Sequence, residues 1–136
     1  MISNIDILVL GGHSFNNRRV AHRLLSTVME YSNCNNAIIT EPGVAKNYCC
    51  IPDFCKDHNY TYCRVPYHLG SKHVRTVTKN LISDLAEKNN KAIVIFWNGE
   101  SWSVNEYLKK IDKLQIPTFL YDYVNESVEV IYREEL

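Results

Sequence analysis

Glycines and small polar residues follow two apolar segments of this sequence, in an arrangement that suits phosphate binding. The first segment, Ile5 to Leu10, leads into Gly11, Gly12, His13 and Ser14. The second, Ala92 to Trp97, leads into a group made up of Asn98, Gly99, Ser101, Trp102 and Ser103. Both groups precede a predicted helix, and the free N–H groups at a helix N-terminus attract anions. These positions therefore predict a binding site for a nucleotide-type ligand.

Two charged residues fall on predicted helices near these groups. Arg75 lies in the first turns of a long helix, where a guanidinium can hold a phosphate through two parallel hydrogen bonds. The alternative for Arg75 is a solvated position on a helix surface. Glu106 lies near the start of the helix after Gly99, where the helix dipole stabilises a carboxylate by about 0.3–1 kcal/mol. Arg75 is thus a candidate ligand contact, and Glu106 is either a functional or a purely structural carboxylate.

Other residue types give weaker indications. A ring nitrogen of His13 could meet a phosphate or a ribose, whereas the separation of His68 and His73 does not place them on one helical face. Asp6 and Asp122 are predicted at opposite ends of their strands, which excludes a carboxylate pair. The cysteines match no standard zinc spacing and are expected to be free, buried thiols: Cys34, Cys49, Cys50, Cys55 and Cys63. No metal and no cofactor are predicted.

Aromatic residues could stack on a base, since indole and phenol rings bind a nucleobase through its π surface. The candidates are Trp97, Trp102, Tyr48 and Tyr67. Trp97 ends an apolar run and is more typical of a core, so Trp102 is the first choice for base stacking or for an interface. An apolar surface at Tyr107 and Tyr123 is predicted to be available to a second subunit.

Strands and helices alternate along the predicted chain. The predicted strands are Ile5–Leu10, Ala37–Thr40, Tyr60–Val65, Ala92–Trp97, Thr118–Asp122 and an edge strand Val128–Tyr132. The predicted helices are Asn16–Tyr31, Val44–Lys56 with an interruption at Pro52, a long helix capped by Ser71, and Ser103–Leu114. Glu41, Pro42 and Gly43 are predicted to form a turn after the second strand.

This alternation predicts an α/β fold, a Rossmann-like three-layer sandwich with a mostly parallel central sheet. Residues 1–136 are expected to form one domain. The residues predicted to lie in the central sheet are Ile7, Val9, Ile38, Ile93, Ile95 and Leu120. In open sheets of this kind ligands bind at the carboxyl ends of the strands, where the glycine groups are predicted.

The composition restricts the possible partners. Fifteen basic and fifteen acidic residues give a formal net charge of zero, so no electrostatic surface for long nucleic acid or an anionic membrane is predicted. The first residues lack the pattern of a signal peptide, and no apolar run is long enough to cross a membrane, so a cytoplasmic protein is expected. Abundant asparagine is consistent with AT-rich coding and suggests a phage or a low-GC bacterium.

Three segments resemble the SLOG superfamily, which includes the LOG phosphoribohydrolases and the YpsA-type ligand-binding proteins. The segment from Gly11 to Phe15 stands where YpsA-type members have a Gly-Ser-Arg-x-Phe loop. His73-Val-Arg75 stands where LOG enzymes have His-x-Arg-Lys, and Phe96-Trp-Asn-Gly-Glu-Ser101 stands where YpsA-type members have Phe-Trp-Asp-Gly-x-Ser. The chain also departs from the family, because the Gly-Gly-x-Gly-Thr loop is reduced to a single glycine, Gly99.

The resemblance implies a domain that binds a nucleotide-derived small molecule, such as an ADP-ribose-like signal or a nucleoside phosphate, and that forms a homo-oligomer. It places Gly43 in the ligand-binding loop after the second strand and Glu106 on the glutamate that stabilises charge in LOG enzymes. In a phage, such a protein could sequester a host immune signal. One alternative is a LOG-like N-glycosidase of nucleoside monophosphates that uses Arg75 and Glu106. Another is a protein-interaction module with a vestigial pocket.

Overall fold

The fold is a six-stranded sheet with helices on both faces. The computed structural model describes residues 3–11, 15–43, 50–66, 71–99 and 102–131, with the backbone alone for residues 71–73 and 102. The strands are β1 (Asn4–Leu10), β2 (Asn36–Pro42), β3 (Thr61–Val65), β4 (Lys91–Trp97), β5 (Thr118–Asp122) and β6 (Ser127–Val130). The helices are α1 (Arg18–Ser32), α2 (Cys50–His58), α3 (Ser71–Ala86) and α4 (Trp102–Leu114).

The strand order is β3-β2-β1-β4-β5-β6, with β6 alone antiparallel to its neighbour. Five parallel strands therefore end at one edge of the sheet, which we call the carboxyl edge. The predicted class, an α/β sandwich around a mostly parallel sheet, is confirmed. Helices that follow parallel strands begin at the edge where those strands end. The N-termini of α1, α3 and α4 therefore lie near the carboxyl edge.

Apolar side chains on the two faces of the sheet form two separate clusters. Alternate residues of β4 divide between them, since Val94 and Phe96 pack with α1 and α2, whereas Ile93 and Ile95 pack with α3 and α4. Each residue along a strand points to the face opposite its neighbour, so a strand covered on both faces must be apolar throughout. This explains why the apolar run of β4 is unbroken.

The predicted sheet residues lie in the sheet, and all of them except Ile38 are buried. Ile38 is half-buried because it faces away from Ala37 and Ile39, which belong to the cluster under α1 and α2. The opposite cluster takes residues from β1, β4 and β5 but none from the described residues of β2. The second layer of helices therefore covers β2 less completely than it covers the central strands.

Two local predictions were wrong. Glu41 and Pro42 continue β2 instead of turning away, because β2 pairs with β3 as far as Pro42 and Val65. Proline is tolerated there because Pro42 is the last residue of β2 and lies beyond the pairing of β2 with β1, which ends at Leu8 and Thr40. Pro52 does not interrupt α2, since it occupies the first turn, where a helix does not require its N–H. The predicted helical residues 44–49 lie outside the described part of the chain.

The predicted subunit surface was also wrong. Tyr107 is buried in the cluster under α3 and α4, whereas Tyr123 packs against the cluster under α1 and α2. The two tyrosines therefore lie on opposite faces of the sheet and cannot form one patch. Of the described cysteines, none of which is in a disulfide, only Cys50 and Cys55 are buried, while Cys34 is half-buried and Cys63 is exposed. In the part of the chain that the structure describes, no helix is both long and apolar enough to span a membrane.

Candidate functional site

The candidate site lies where β1 and β4 meet at the carboxyl edge. The chain leaves β1 toward α1 on one face and leaves β4 toward α4 on the other face. Neighbouring parallel strands whose connections diverge in this way leave a crevice between their ends, and ligands of open α/β sheets bind there. Gly11 directly follows β1, and Asn98 and Gly99 directly follow β4. Of the two predicted groups, the structure thus places the described glycines, Gly11 and Gly99, after the ends of these neighbouring strands.

Gly11 allows the end of β1 to approach β4 very closely. Its φ angle is +76°, and a Cβ atom at this position would lie 2.2 Å from the carbonyl oxygen of Phe96. No real side chain tolerates such a contact with backbone, and a positive φ already disfavours residues with a Cβ. Gly11 is therefore required by the approach of the two strands, whatever ligand is bound.

The loop after Gly11 is fixed to β4 at its far end as well. The ring of Phe15 stacks on the ring of Phe96, with centroids 4.8 Å apart and planes inclined by 13°. Tyr121 and Tyr123 extend this cluster with centroids 5.7 and 5.3 Å from that of Phe15. Both ends of the loop therefore rest on Phe96. The predicted ligand residues between them, Gly12, His13 and Ser14, lie outside the described residues.

Gly99 faces the end of β5. Its φ angle is +86°, and a Cβ there would point at the carboxylate of Asp122, 3.5 Å from Oδ2. Asp122 accepts hydrogen bonds from the backbone N–H groups of Val124 and Asn125 and from the Asn125 side chain. The bonds from Asn125 are the main reason that the pKa of Asp122 is lowered. Asp122 thus serves the turn after β5, and it lies at the opposite end of its strand from Asp6, as predicted.

Arg75 and Glu106 are brought together between α3 and α4. Arg75 Nη1 and Lys79 Nζ each lie 3.8 Å from Glu106 Oε2. Glu106 occupies the second turn of α4, just beyond the first turn in which the helix dipole stabilises a carboxylate most. The side chain of Arg75 is 30% exposed, so it is half-buried and only partly solvated. Two cations around one carboxylate leave a net charge of one positive unit near the N-termini of both helices.

Lys79 was missed by the sequence analysis, although its spacing from Arg75 is a recognisable signal. Residues four apart on a helix lie on the same face, so a basic pair at positions 75 and 79 can contact one acidic group. What the sequence did not provide was the packing of α3 against α4. That packing places Glu106 opposite the pair and leaves its Oε2 atom buried without a hydrogen bond among the described residues.

The two tryptophans of the chain lie at this same edge. Trp97 ends β4 and is half-buried against the cluster under α3 and α4, so it lies at the border of the core in which it was predicted. Its indole N–H is buried and has no acceptor among the described residues. Trp102 is the first residue of α4 and half-buried Ser103 is the second, but the side chain of Trp102 and all of Ser101 lie outside the described structure.

Gly43 follows β2, one strand away from the crevice, and its N–H donates to the carbonyl oxygen of Val65, 3.0 Å away. It is buried, yet no described atom lies within 4 Å of the position that a Cβ would take. Tyr48, Cys49, Tyr67 and His68 lie outside the described residues, as does the side chain of His73. Where side chains are described, no group of three or more His, Cys, Asp or Glu residues is placed to hold a metal ion.

The chain matches no known model of a protein family, and no curated protein matches it. The resemblance to the SLOG superfamily therefore stays a prediction that depends on the three segments at the carboxyl edge. The fold agrees with what that resemblance implies, but an α/β sandwich supports many unrelated functions. A functional interpretation must come from the site itself.

Proposed function

We propose that this protein binds a nucleotide-derived small molecule, either an ADP-ribose-like signal or a nucleoside phosphate, at the crevice between β1 and β4. The observation that carries the proposal is that Gly11 and Gly99 follow β1 and β4, the two neighbouring strands at which the strand order reverses. Both glycines have positive φ angles, and neither backbone is shielded by a side chain of its own. Backbone N–H groups at such a strand end can face a phosphate.

The charge on the side of the crevice formed by α3 and α4 supports an anionic ligand. Arg75, Lys79 and Glu106 together carry one net positive charge, and the N-termini of α3 and α4 add partial positive charge at the same edge. The buried indole N–H of Trp97 is a further donor at the end of β4. A phosphate would therefore meet donors and positive charge here.

The same charges favour holding the ligand over cleaving it. An N-glycosidase must stabilise the positive charge that develops on the sugar in the transition state, and a carboxylate does this best when its own charge is not compensated. Arg75 and Lys79, on successive turns of α3, each lie 3.8 Å from the Glu106 carboxylate. The charge of Glu106 is therefore compensated. We infer that Glu106 orients Arg75, which contacts the anion. In a phage, retention without cleavage would suit sequestration of a host immune signal.

The test is a binding panel with two readouts. The purified protein is mixed with AMP, ADP and ADP-ribose, and the quenching of tryptophan fluorescence is followed, since both tryptophans of the chain lie at the carboxyl edge. Mass spectrometry of the denatured mixture then shows whether the ligand is intact. We expect quenching and intact ligand. Unchanged fluorescence together with no retained nucleotide would refute the proposal.

A matched pair of variants tests the role of Arg75. Arg75→Ala and Lys79→Ala each remove one positive charge 3.8 Å from the same oxygen of Glu106, so the two variants are matched in charge and in distance. Lys79 lies one helical turn, or about 6 Å, farther from the carboxyl edge. We expect Arg75→Ala to abolish phosphate binding and Lys79→Ala to weaken it only slightly. Equal losses would mean that Arg75 acts through general charge and not through contact.

The second candidate function is N-glycosidic hydrolysis of a nucleoside monophosphate. The observation that favours it is the contact between Arg75 and Glu106, which are the two residues that a LOG-like enzyme would use. The measurement is release of free base from AMP, followed over time in the parent and in Glu106→Gln. Steady release by the parent that is lost in the variant would establish the enzyme and displace the binding proposal.

A further inference from the structure

A buried carboxylate with an unused oxygen lies at the carboxyl edge, outside the crevice described above. Glu41 is 5% exposed and belongs to β2. Its Oε1 atom accepts a hydrogen bond from the hydroxyl of Tyr62, 2.7 Å away. Its Oε2 atom is buried and has no partner among the described residues. A buried polar atom without a partner is rare enough in folded proteins to require an explanation.

The surroundings of Glu41 determine what kind of group Oε2 can accept. The Nε–H of Arg64 donates to the Tyr62 hydroxyl oxygen, 3.3 Å away, and Tyr62 in turn donates to Oε1. This chain fixes the carboxylate and places positive charge on its Oε1 side. Arg64 already compensates the charge of Glu41, so a second cation is not required, and an anion would be repelled by the carboxylate. The group that fits Oε2 is a neutral hydrogen-bond donor, and a hydroxyl is the simplest one.

The position of Glu41 suits a sugar whose phosphate lies at Gly11. Leu8 of β1 is in register with Thr40 of β2, so Glu41 lies beside Val9, two residues before Gly11. With strands about 4.8 Å apart and a rise of about 3.3 Å per residue, Glu41 and Gly11 are roughly 8 Å apart. Beside Gly43, two residues beyond Glu41, no described atom fills the position of a Cβ.

We propose that Glu41 Oε2 accepts hydrogen bonds from the vicinal hydroxyl groups of a ribose, so that the site selects ribonucleotides over deoxyribonucleotides. One carboxylate oxygen has two lone pairs and can accept from both hydroxyls. The proposal rests on the proposed function, because it assigns the sugar of the same ligand. Burial, the largest effect, raises the pKa of Glu41, while Tyr62 and Arg64 lower it, and the acceptor role strengthens as the carboxyl group ionises.

The experiment compares ADP with 2′-deoxy-ADP as probes in a tryptophan-fluorescence titration of the parent, Glu41→Gln and Tyr62→Phe. Hydrogen bonds to charged groups contribute enough to predict at least a roughly tenfold preference of the parent for ADP. Glu41→Gln preserves the shape but puts an amide donor in place of the oxygen, so the preference should disappear. Tyr62→Phe keeps the carboxylate and should keep the preference. The melting temperature of each variant shows that it is folded.

The outcomes separate this inference from the proposed function. Equal affinity of the parent for the two probes overturns the ribose assignment and leaves nucleotide binding standing, and it needs no variant. A preference for ADP that survives in Glu41→Gln also overturns the assignment, because another group must then read the hydroxyl. Failure of the parent to bind either probe overturns the assignment and the proposed function together.

Discussion

Alanine at Gly11 is expected to destabilise the fold more than alanine at Gly99, although both glycines have a positive φ angle. A left-handed backbone costs a residue with a Cβ about 1–2 kcal/mol. At Gly99 this is the main effect, since the new Cβ would lie 3.5 Å from the nearest atom, a side-chain oxygen of Asp122. At Gly11 the Cβ would lie 2.2 Å from the carbonyl oxygen of Phe96, so β1 and β4 must also separate.

The additional cost at Gly11 is that of overpacking a rigid site, about 1–3 kcal/mol. We therefore expect Gly11→Ala to lower the free energy of unfolding by about 2–5 kcal/mol and Gly99→Ala by about 1–2 kcal/mol. Gly43→Ala is the control, because Gly43 has no positive φ and no described atom within 4 Å of the Cβ position. Gly43→Ala should leave the free energy of unfolding unchanged or raise it by up to about 1 kcal/mol, because alanine reduces the conformational entropy of the unfolded chain.

Urea unfolding followed by circular dichroism measures the three variants against the parent, with the midpoint and the slope fitted separately. The reasoning depends on the difference between Gly11→Ala and Gly99→Ala, because the conformational cost is common to both. Equal destabilisation would refute the close approach of β1 to β4. It would also remove the structural basis for placing Gly11 beside the end of β4.

Three further predictions concern the core, a carboxyl group and a thiol. Ile95→Ala should lower the free energy of unfolding by about 2–5 kcal/mol, because it leaves a cavity at a fully buried position. The control, Val124→Ala, lies at an exposed position and should change the free energy by less than about 0.5 kcal/mol. Similar values for the two variants in urea unfolding would remove β4 from the core. Because the pKa of Glu41 is raised in the folded state, that state binds the extra proton. The free energy of unfolding should therefore fall as the pH rises through the raised pKa. Glu41→Gln should remove that slope, and an unchanged slope in urea titrations at several pH values would contradict it. Iodoacetamide should modify exposed Cys63 before Cys55, because burial, together with nearby Glu41 and Cys63, raises the pKa of the Cys55 thiol to about 12. Equal modification rates of the two thiols, measured by peptide mass spectrometry, would contradict this prediction.

The sheet was largely predictable because its pattern is local. The unbroken apolar run of β4 and the alternation of strands with helices are properties of neighbouring residues, and they predict a strand buried on both faces. The end of β2 was not predictable in the same way. Glu41 and Pro42 have low strand propensity, and they remain extended because β3 pairs with them. That pairing is a tertiary contact between residues more than twenty positions apart.

The candidate site was predictable in its residue types but not in its contacts. Glycine after β1 and after β4 indicated a crevice, and in the structure Gly11 and Gly99 follow the ends of these two neighbouring strands. The contact of Glu106 with Arg75 and Lys79 depends on how α3 packs against α4, which no local pattern encodes. Glu41 was assigned to a turn, so its burial beside Tyr62 could not be foreseen.

Three carboxylates lie at the carboxyl edge: Asp122, Glu106 and Glu41. They differ in how many of their oxygen lone pairs remain available to accept hydrogen bonds from a ligand. Asp122 already accepts from two backbone N–H groups and one side-chain amide, so a ligand would have to displace the turn after β5. Glu106 lies between two cations, and a ligand phosphate would compete with it for Arg75. Glu41 alone of these three has one oxygen fixed and the other buried without a described partner. A ligand that carries a phosphate and two neutral hydroxyl groups would fit these carboxylates. Its phosphate would contact Arg75, its hydroxyls would donate to Glu41, and no buried charge would be left uncompensated.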